Sequence, residues 1–233
     1  MDVWCFQEVT YFSRFAPSDC IMDFNVSVQE SPPVPDLYPS LVDALGDCSP
    51  YLSPPYSDSS HNLAMFVRKS LPVTFSYHPL MQDIEVPLRG PGCKYHTGSG
   101  LLSASILDHG HYNVFTTHGI WQGPMKEDTP ERLAQSSRIM DIMDAYDGPK
   151  ILTGDLNLHP ATESIRMLSG RMTDWVSESG VKSTRSASFY RKVPSPMSDY
   201  ADFVFTSPGI IVDSFETLPL EVSDHLPLEI RFH

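Results

Sequence analysis

Lys150-Ile151-Leu152-Thr153-Gly154-Asp155-Leu156-Asn157 is the stretch on which the fold turns. Residues of strand character, Ile151 and Leu152 among them, run into a glycine, then a carboxylate and, two residues on, a carboxamide. Gly154 permits a sharp turn where a side chain would obstruct. Asp155 and Asn157 share a parity, so a continuing strand would point both to one side. A hard cation or a polarised water fits between two such oxygen ligands. A strand that simply ends in a turn fits the same residues, because Gly, Asp and Asn are common there.

Outward from this centre the same pattern recurs: apolar strands with ionisable residues in them or at their ends. Asp2-Val3-Trp4-Cys5-Phe6-Gln7-Glu8-Val9 stands near the start and Ser223-Asp224-His225-Leu226-Pro227 near the end. Between them lie Asn113-Val114-Phe115-Thr116-Thr117-His118-Gly119 and Tyr200-Ala201-Asp202-Phe203-Val204-Phe205. In this order, over nearly the whole chain, the motifs resemble the endonuclease/exonuclease/phosphatase superfamily. These are metal-dependent phosphoesterases that include deoxyribonuclease I, abasic-site endonucleases, neutral sphingomyelinases and inositol-polyphosphate 5-phosphatases. The resemblance implies an α/β fold, a four-layer α/β/β/α sandwich of two mostly antiparallel sheets, as a single domain over residues 1–233.

It also implies roles. Glu8 would be the principal Mg²⁺ (or Mn²⁺) ligand, with Asp224 beside the metal. Asp155 would orient or deprotonate the attacking water, and Asn157 would hold the phosphate or the metal's water shell. His225 would face the scissile phosphate with Asp202 on its other ring nitrogen, fixing the tautomer and favouring the protonated ring. His118 would contact a phosphoryl oxygen. Without the resemblance, His118 reads equally as a histidine closing a strand, and Glu8 as a surface glutamate. The basic group Arg185, Arg191 and Lys192 reads as a solvated loop or, lying between two site motifs, as a contact for an anionic substrate, Arg185 foremost. The remaining histidines carry no zinc-hydrolase spacing.

One departure matters. In the family an Asn-bearing strand and a helix precede the Gln-Glu strand; here Met1 falls just before that strand, and residues 1–24 hold no Asn. The expectation is an N-terminally incomplete domain, first strand missing, with exposed strand edges and apolar surface. Two functions follow: Mg²⁺-dependent hydrolysis of a phosphate ester, or a catalytically impaired descendant or fragment serving as a phosphate-binding module.

Composition narrows the partners. The chain has 233 residues, 41% hydrophobic and 11% aromatic, as in a folded globular domain. A net charge of −13 argues against a broad basic surface for nucleic-acid backbone, though not against a local phosphate pocket. A phosphorylated substrate is expected: nucleic acid, phospholipid head group or small metabolite. Cys5, Cys20, Cys48 and Cys93 are widely spaced, which points away from thiolate zinc and toward free thiols in a cytoplasmic protein, expected to be a monomer. No segment is long enough to span a bilayer.

Local signals place the remaining elements. Residues 2–9 read as a buried strand, with Tyr11, Phe12 and Phe15 as anchors after it. A short helix fits from Pro39 to Leu45 within a proline-rich cover, with Asp36 or Ser40 near its start. Leu63–Val67 and Leu71–Phe75 read as a strand pair turning at Lys69-Ser70, and 77–100 as a loop. Leu101–Leu107 and Tyr112–His118 read as a hairpin around His109-Gly110. Thr129 and Pro130 open a helix whose buried side would be Leu133, Ile139, Met140, Ile142, Met143 and Tyr146. Pro160–Leu168 reads as a short helix, and Tyr200–Thr206 and Ile210–Leu218 as strands.

Overall fold

The structure, a computed structural model, describes residues 3–11, 36–54, 61–80, 85–87, 94–96, 100–108, 110–122, 126–192 and 198–233. Strands β1 (Val3–Thr10), β2 (Cys48–Leu52) and β3 (His61–Arg68) form an antiparallel sheet in the order β1-β3-β2. A six-stranded sheet runs β10-β11-β9-β8-β7-β4, built from β4 (Val73–Pro79), β7 (Gly100–Leu107), β8 (His111–His118), β9 (Lys150–Asp155), β10 (Thr173–Asp174) and β11 (Asp202–Thr206). Two further pairs are β5 (Glu85–Pro87) with β6 (Lys94–His96), and β12 (Val212–Thr217) with β13 (Leu228–Phe232). The helices are α1 (Leu37–Ala44), α2 (Pro130–Asp144), α3 (Glu163–Ser169), α4 (Trp175–Glu178) and α5 (Ala187–Lys192).

Side-chain alternation produces the layers. In β3, Ala64 and Phe66 face α1, while Leu63, Met65 and Val67 face the six-stranded sheet. In β9, Ile151 points into that same space between the sheets, and Leu152 points the other way, toward α2 and α3. β11 repeats this, with Val204 between the sheets and Phe203 and Phe205 toward the helices. Leu228, Ile230 and Phe232 of β13, like Val3 and Cys5 of β1, pack against the cluster between the sheets. The result is a helix layer, a layer of outer strands, the six-stranded sheet and a second helix layer, the expected sandwich. The β8–β9 pair is parallel because α2 crosses between them.

Several expectations are corrected. Leu63–Val67 and the strand after it are not a hairpin: β3 pairs with β1 and β2, whereas β4 pairs with β7, so the chain crosses between sheets at residues 69–72. Tyr77–Pro79, read as loop, complete β4, and β5 and β6 lie further along that segment. β1 is only half-buried before Val9 and Thr10. Helix α2 does start with Thr129 as N-cap, its Oγ1 accepting from the Arg132 N–H at 3.2 Å. Its first buried residues, however, are polar: Arg132, Gln135 and Ser136. Phe12, Phe15, His109, Cys20 and Cys93 lie outside the described residues. Among the described residues, Cys5 and Cys48 are free thiols, and no helix is long and apolar enough to cross a membrane.

Candidate active site

The β9 strand stops at Asp155, so pleat parity does not bring Asp155 and Asn157 together. Asn157 instead lies in left-handed backbone, φ 55°, and its N–H donates to Asp155 Oδ1 at 2.7 Å. Two glycines let the ends of β8 and β9 close on each other. A Cβ on Gly154 (φ 140°) would come closer than 3.0 Å to the Thr117 carbonyl, and one on Gly119 would overlap the Leu156 backbone. The Gly119 N–H donates to the Asp155 carbonyl at 2.6 Å. His118, the last residue of β8, then stands with Nε2 3.8 Å from Asp155 Oδ2.

Glu8 arrives from the facing sheet through a bulge. Phe6 pairs with Ala64 but Val9 with Asn62, so Gln7 and Glu8 together span one residue of β3. Glu8 takes φ 55°, a conformation that costs a non-glycine residue roughly 1–3 kcal/mol. Gln7 Nε2 crosses to Thr116 Oγ1 of β8 at 2.9 Å, and Glu8 Oε1 lies 3.7 Å from His118 Nε2.

The remaining groups come from the end of the chain. Asp202 opens β11 directly opposite Asp155 in the ladder. Thr184 Oγ1 accepts from the Ala201 and Asp202 N–H groups at 3.1 and 3.3 Å, and its carbonyl accepts from Leu226 N at 2.9 Å. Arg185 and His225 form a single antiparallel bridge alongside. His225 Nδ1–H donates to Asp202 Oδ2 at 2.8 Å, while Nε2 faces Asp155 Oδ2 at 3.8 Å. The Arg185 guanidinium touches His225 Nε2, lies 3.9 Å from Asp224 Oδ2 and stacks 4.5 Å from the Phe189 ring centre. Although read from sequence as loop, Arg185 is 7% exposed, and its Nε is buried with no hydrogen-bond partner among the described residues. Arg191, by contrast, pairs at the surface with Glu221 at 2.9 Å.

The charges compete. Burial works against a charged His225, but the hydrogen bond and charge of Asp202, aided by Asp155, outweigh it and Arg185, so its pKa lies above the ordinary 6.5. Asp155, Asp202 and His225 offer ligand atoms within 4.8 Å of one another. Asp202, however, has both oxygens on His225 Nδ1, and Arg185 covers the other ring nitrogen. That trio is better suited to moving a proton than to caging a cation. Glu8 has a side chain 65% exposed, and Asp224 is half-exposed beside Arg185, so both carboxylates reach solvent at the rim of the site. Oxygen donors of this kind suit a hard divalent cation that keeps some of its waters.

Sequence reading missed Lys126. Its Nζ donates to Asn157 Oδ1, and the Asn157 Nδ2 donates to the Gly119 carbonyl at 3.0 Å. The side-chain amide expected to hold a phosphate is therefore 2% exposed and engaged at both ends. Ile120 and Glu127 are both tied to α2: Gln135 Oε1 accepts from Ile120 N at 3.2 Å, and Arg132 Nη1 donates to the Glu127 carbonyl at 2.5 Å. This is why the start of α2 buries polar residues. The one signal in the sequence is that Lys126 is the sole lysine or arginine between Lys94 and Arg132.

The chain belongs to the endonuclease/exonuclease/phosphatase family, whose model matches residues 1–225. The members of that family hydrolyse phosphoester bonds and generally depend on divalent metal. Among solved structures, it is similar to a mannosyl-6-phosphatase of Bacteroides thetaiotaomicron, at 16% identity and TM-score 0.65, covering 84% of this chain and 80% of that one. Truncated Caenorhabditis elegans TDP2 matches at 17% identity and TM-score 0.62, covering 99% and 84%. The human Nocturnin catalytic domain, with bound sulfate, matches at 17% identity and TM-score 0.59, covering 100% and 81%. At these identities the likeness is one of fold. No curated protein sequence matches the chain.

Proposed function

We propose that the chain is a Mg²⁺-dependent phosphoesterase. The observation that carries this is the position of Asp155 Oδ2, 3.8 Å from both His118 Nε2 and His225 Nε2, with Asp202 behind His225. A base for water, a polarised imidazole and its orienting carboxylate thus share one pocket. Asp155 orients and deprotonates the attacking water. His225, held by Asp202, faces the phosphoryl group, and His118 and Arg185 contact its oxygens. A divalent cation held by Glu8 and Asp224 would supply charge neutralisation on those oxygens. Arriving phosphate draws Arg185 off His225 Nε2 and frees that nitrogen to donate. Sulfate on the Nocturnin domain, a tetrahedral oxyanion, is in keeping with such a pocket. The net charge of −13 favours a small or terminal phosphate over a tracked nucleic-acid backbone, and a cytoplasmic monomer remains our expectation.

A second reading, a phosphate-binding module, is favoured by one contact: Arg185 occupies the ring nitrogen that chemistry needs. Turnover of p-nitrophenyl phosphate and its bis ester, with Mg²⁺ and with EDTA, separates the two. Hydrolysis is expected with Mg²⁺ and lost in chelator. Asp202→Asn and His225→Ala should each cut kcat by about 10²-fold or more, and the double variant should be little worse than the worse single. Inorganic phosphate bound without turnover of either ester would leave the module reading standing. Hydrolysis unchanged in chelator would remove the metal.

A further inference from the structure

We propose that the Lys126 ammonium is a phosphate-contacting group of this site, with Asn157 as the residue that positions it; this rests on the phosphoesterase reading. Lys126 is only 9% exposed, in a chain whose lysines belong mostly at the surface. A buried ammonium ordinarily has a carboxylate against it, because an unpaired charge out of water is costly. Here, among the described residues, its hydrogen bond is to a neutral amide oxygen, Asn157 Oδ1, and no carboxylate lies within ion-pair distance of it. The arrangement is fixed rather than incidental. Asn157 is locked by its own N–H on Asp155 Oδ1 at 2.7 Å and by Nδ2 on the Gly119 carbonyl. The Lys126 carbonyl accepts from His159 N at 2.8 Å.

Asn157 thus has one acceptor to give and gives it to Lys126. An ammonium has three donors, and one suffices for this bond. Burial disfavours the charge, Asp155 and Asp202 support it, and Arg185 and Arg132 oppose it. Lys126 through Asn157, and Arg185 through His225, are thus two nearly buried cations on either side of Asp155 in one chain of contacts. An anionic oxygen bound at that site would offset both charges, which a water does only weakly. The contact expected of the Asn157 amide passes to the lysine it holds.

The test uses the whole chain and inorganic phosphate in Mg²⁺ buffer, with affinity read by calorimetry and folding by thermal melt. Lys126→Met keeps the stem and removes the charge. Phosphate affinity should fall at least tenfold, about 1.4 kcal/mol, while the melting temperature holds or rises, since an under-paired buried charge is gone. Lys126→Arg should retain part of the affinity, keeping the cation at a longer reach. Unchanged phosphate affinity in folded Lys126→Met overturns the proposal, and a drop in kcat alone would make Lys126 a positioning residue for Asn157. If the methionine variant does not fold, equal phosphate affinity in the arginine variant and in Lys126→Gln overturns it. No phosphate binding by the unaltered chain would overturn both this proposal and the phosphoesterase reading.

Discussion

His225 sits where burial, two carboxylates and a guanidinium act on one ring. Asp202 and Asp155 favour its charge; desolvation and Arg185 oppose it, and the net shift is upward. The folded chain therefore holds the His225 proton more tightly than the unfolded chain does. The resulting stability is fully present below pH about 6.5 and is lost as pH rises through the folded value. Replacing Asp202 with Asn removes the charge that sustains the shift. In EDTA, the gap in urea midpoint between the unaltered chain and Asp202→Asn should narrow as pH is raised from acid through neutrality. A gap constant across that range would mean that the pair is held by shape alone. The same ring explains why Arg185 was undervalued from sequence: in a run of polar residues nothing marks one arginine as buried. Only the Thr184–Arg185 stretch, stitched to Asp202 on one side and Leu226 on the other, reveals it.

Between elements, β8 and β9 approach closely at their ends, and Gly154 is one place where that approach is set. Its φ of 140° and the nearby Thr117 carbonyl both exclude a side chain. Gly180, φ 68°, has nothing within 4 Å and tests backbone conformation alone. Gly180→Ala should cost about 1–2 kcal/mol. Gly154→Ala should cost at least about 2 kcal/mol more, as overpacking adds to strain. Equal losses in urea denaturation would show that the strands can part without penalty. Strands such as 150–155 and 202–206 were legible because an apolar run with an ionisable end looks the same in sequence and in space. The β3–β4 connection was not. Lys69-Ser70-Leu71-Pro72 can reverse a hairpin or cross between sheets, and period-two alternation is blind to which strand becomes the partner. Lys126 was illegible for another reason: a loop residue acquires its environment from elements it does not belong to, here α2 and the turn after β9.

Across the molecule, the two sheets meet over a mixed interior, and Cys5 lies within it. Burial pushes its thiol up to about 12, against a smaller pull from Thr116 on the opposite sheet. A thiol so placed is almost wholly protonated near neutrality and a poor nucleophile. Site-resolved alkylation at pH 8 should therefore modify the half-buried Cys5 much more slowly than the same thiol in the urea-unfolded chain. Equal rates in the two states would mean that the fold does not hold the thiol protonated. The division between sheets also governs the pocket. Glu8 comes from one sheet and His118, Asp155 and Asp202 from the other, so a shift of the sheets changes the distance from Glu8 to the rest.

The pairing of Asp202 with Asp155 across the β9–β11 ladder carries a consequence for the order of assembly. Like charges set opposite one another weaken an antiparallel pair. Until the chain end docks, these two carboxylates meet with little to separate their fields. The loop bearing His225 brings an imidazole onto Asp202, and with it Arg185 is fixed by its bridge to the same residue. That closure acts as an electrostatic latch, and its strength comes from repulsion stored in the sheet it closes over. His225 follows both Asp155 and Asp202 in the chain, so until it docks the two carboxylates face each other without the imidazole that offsets their charge.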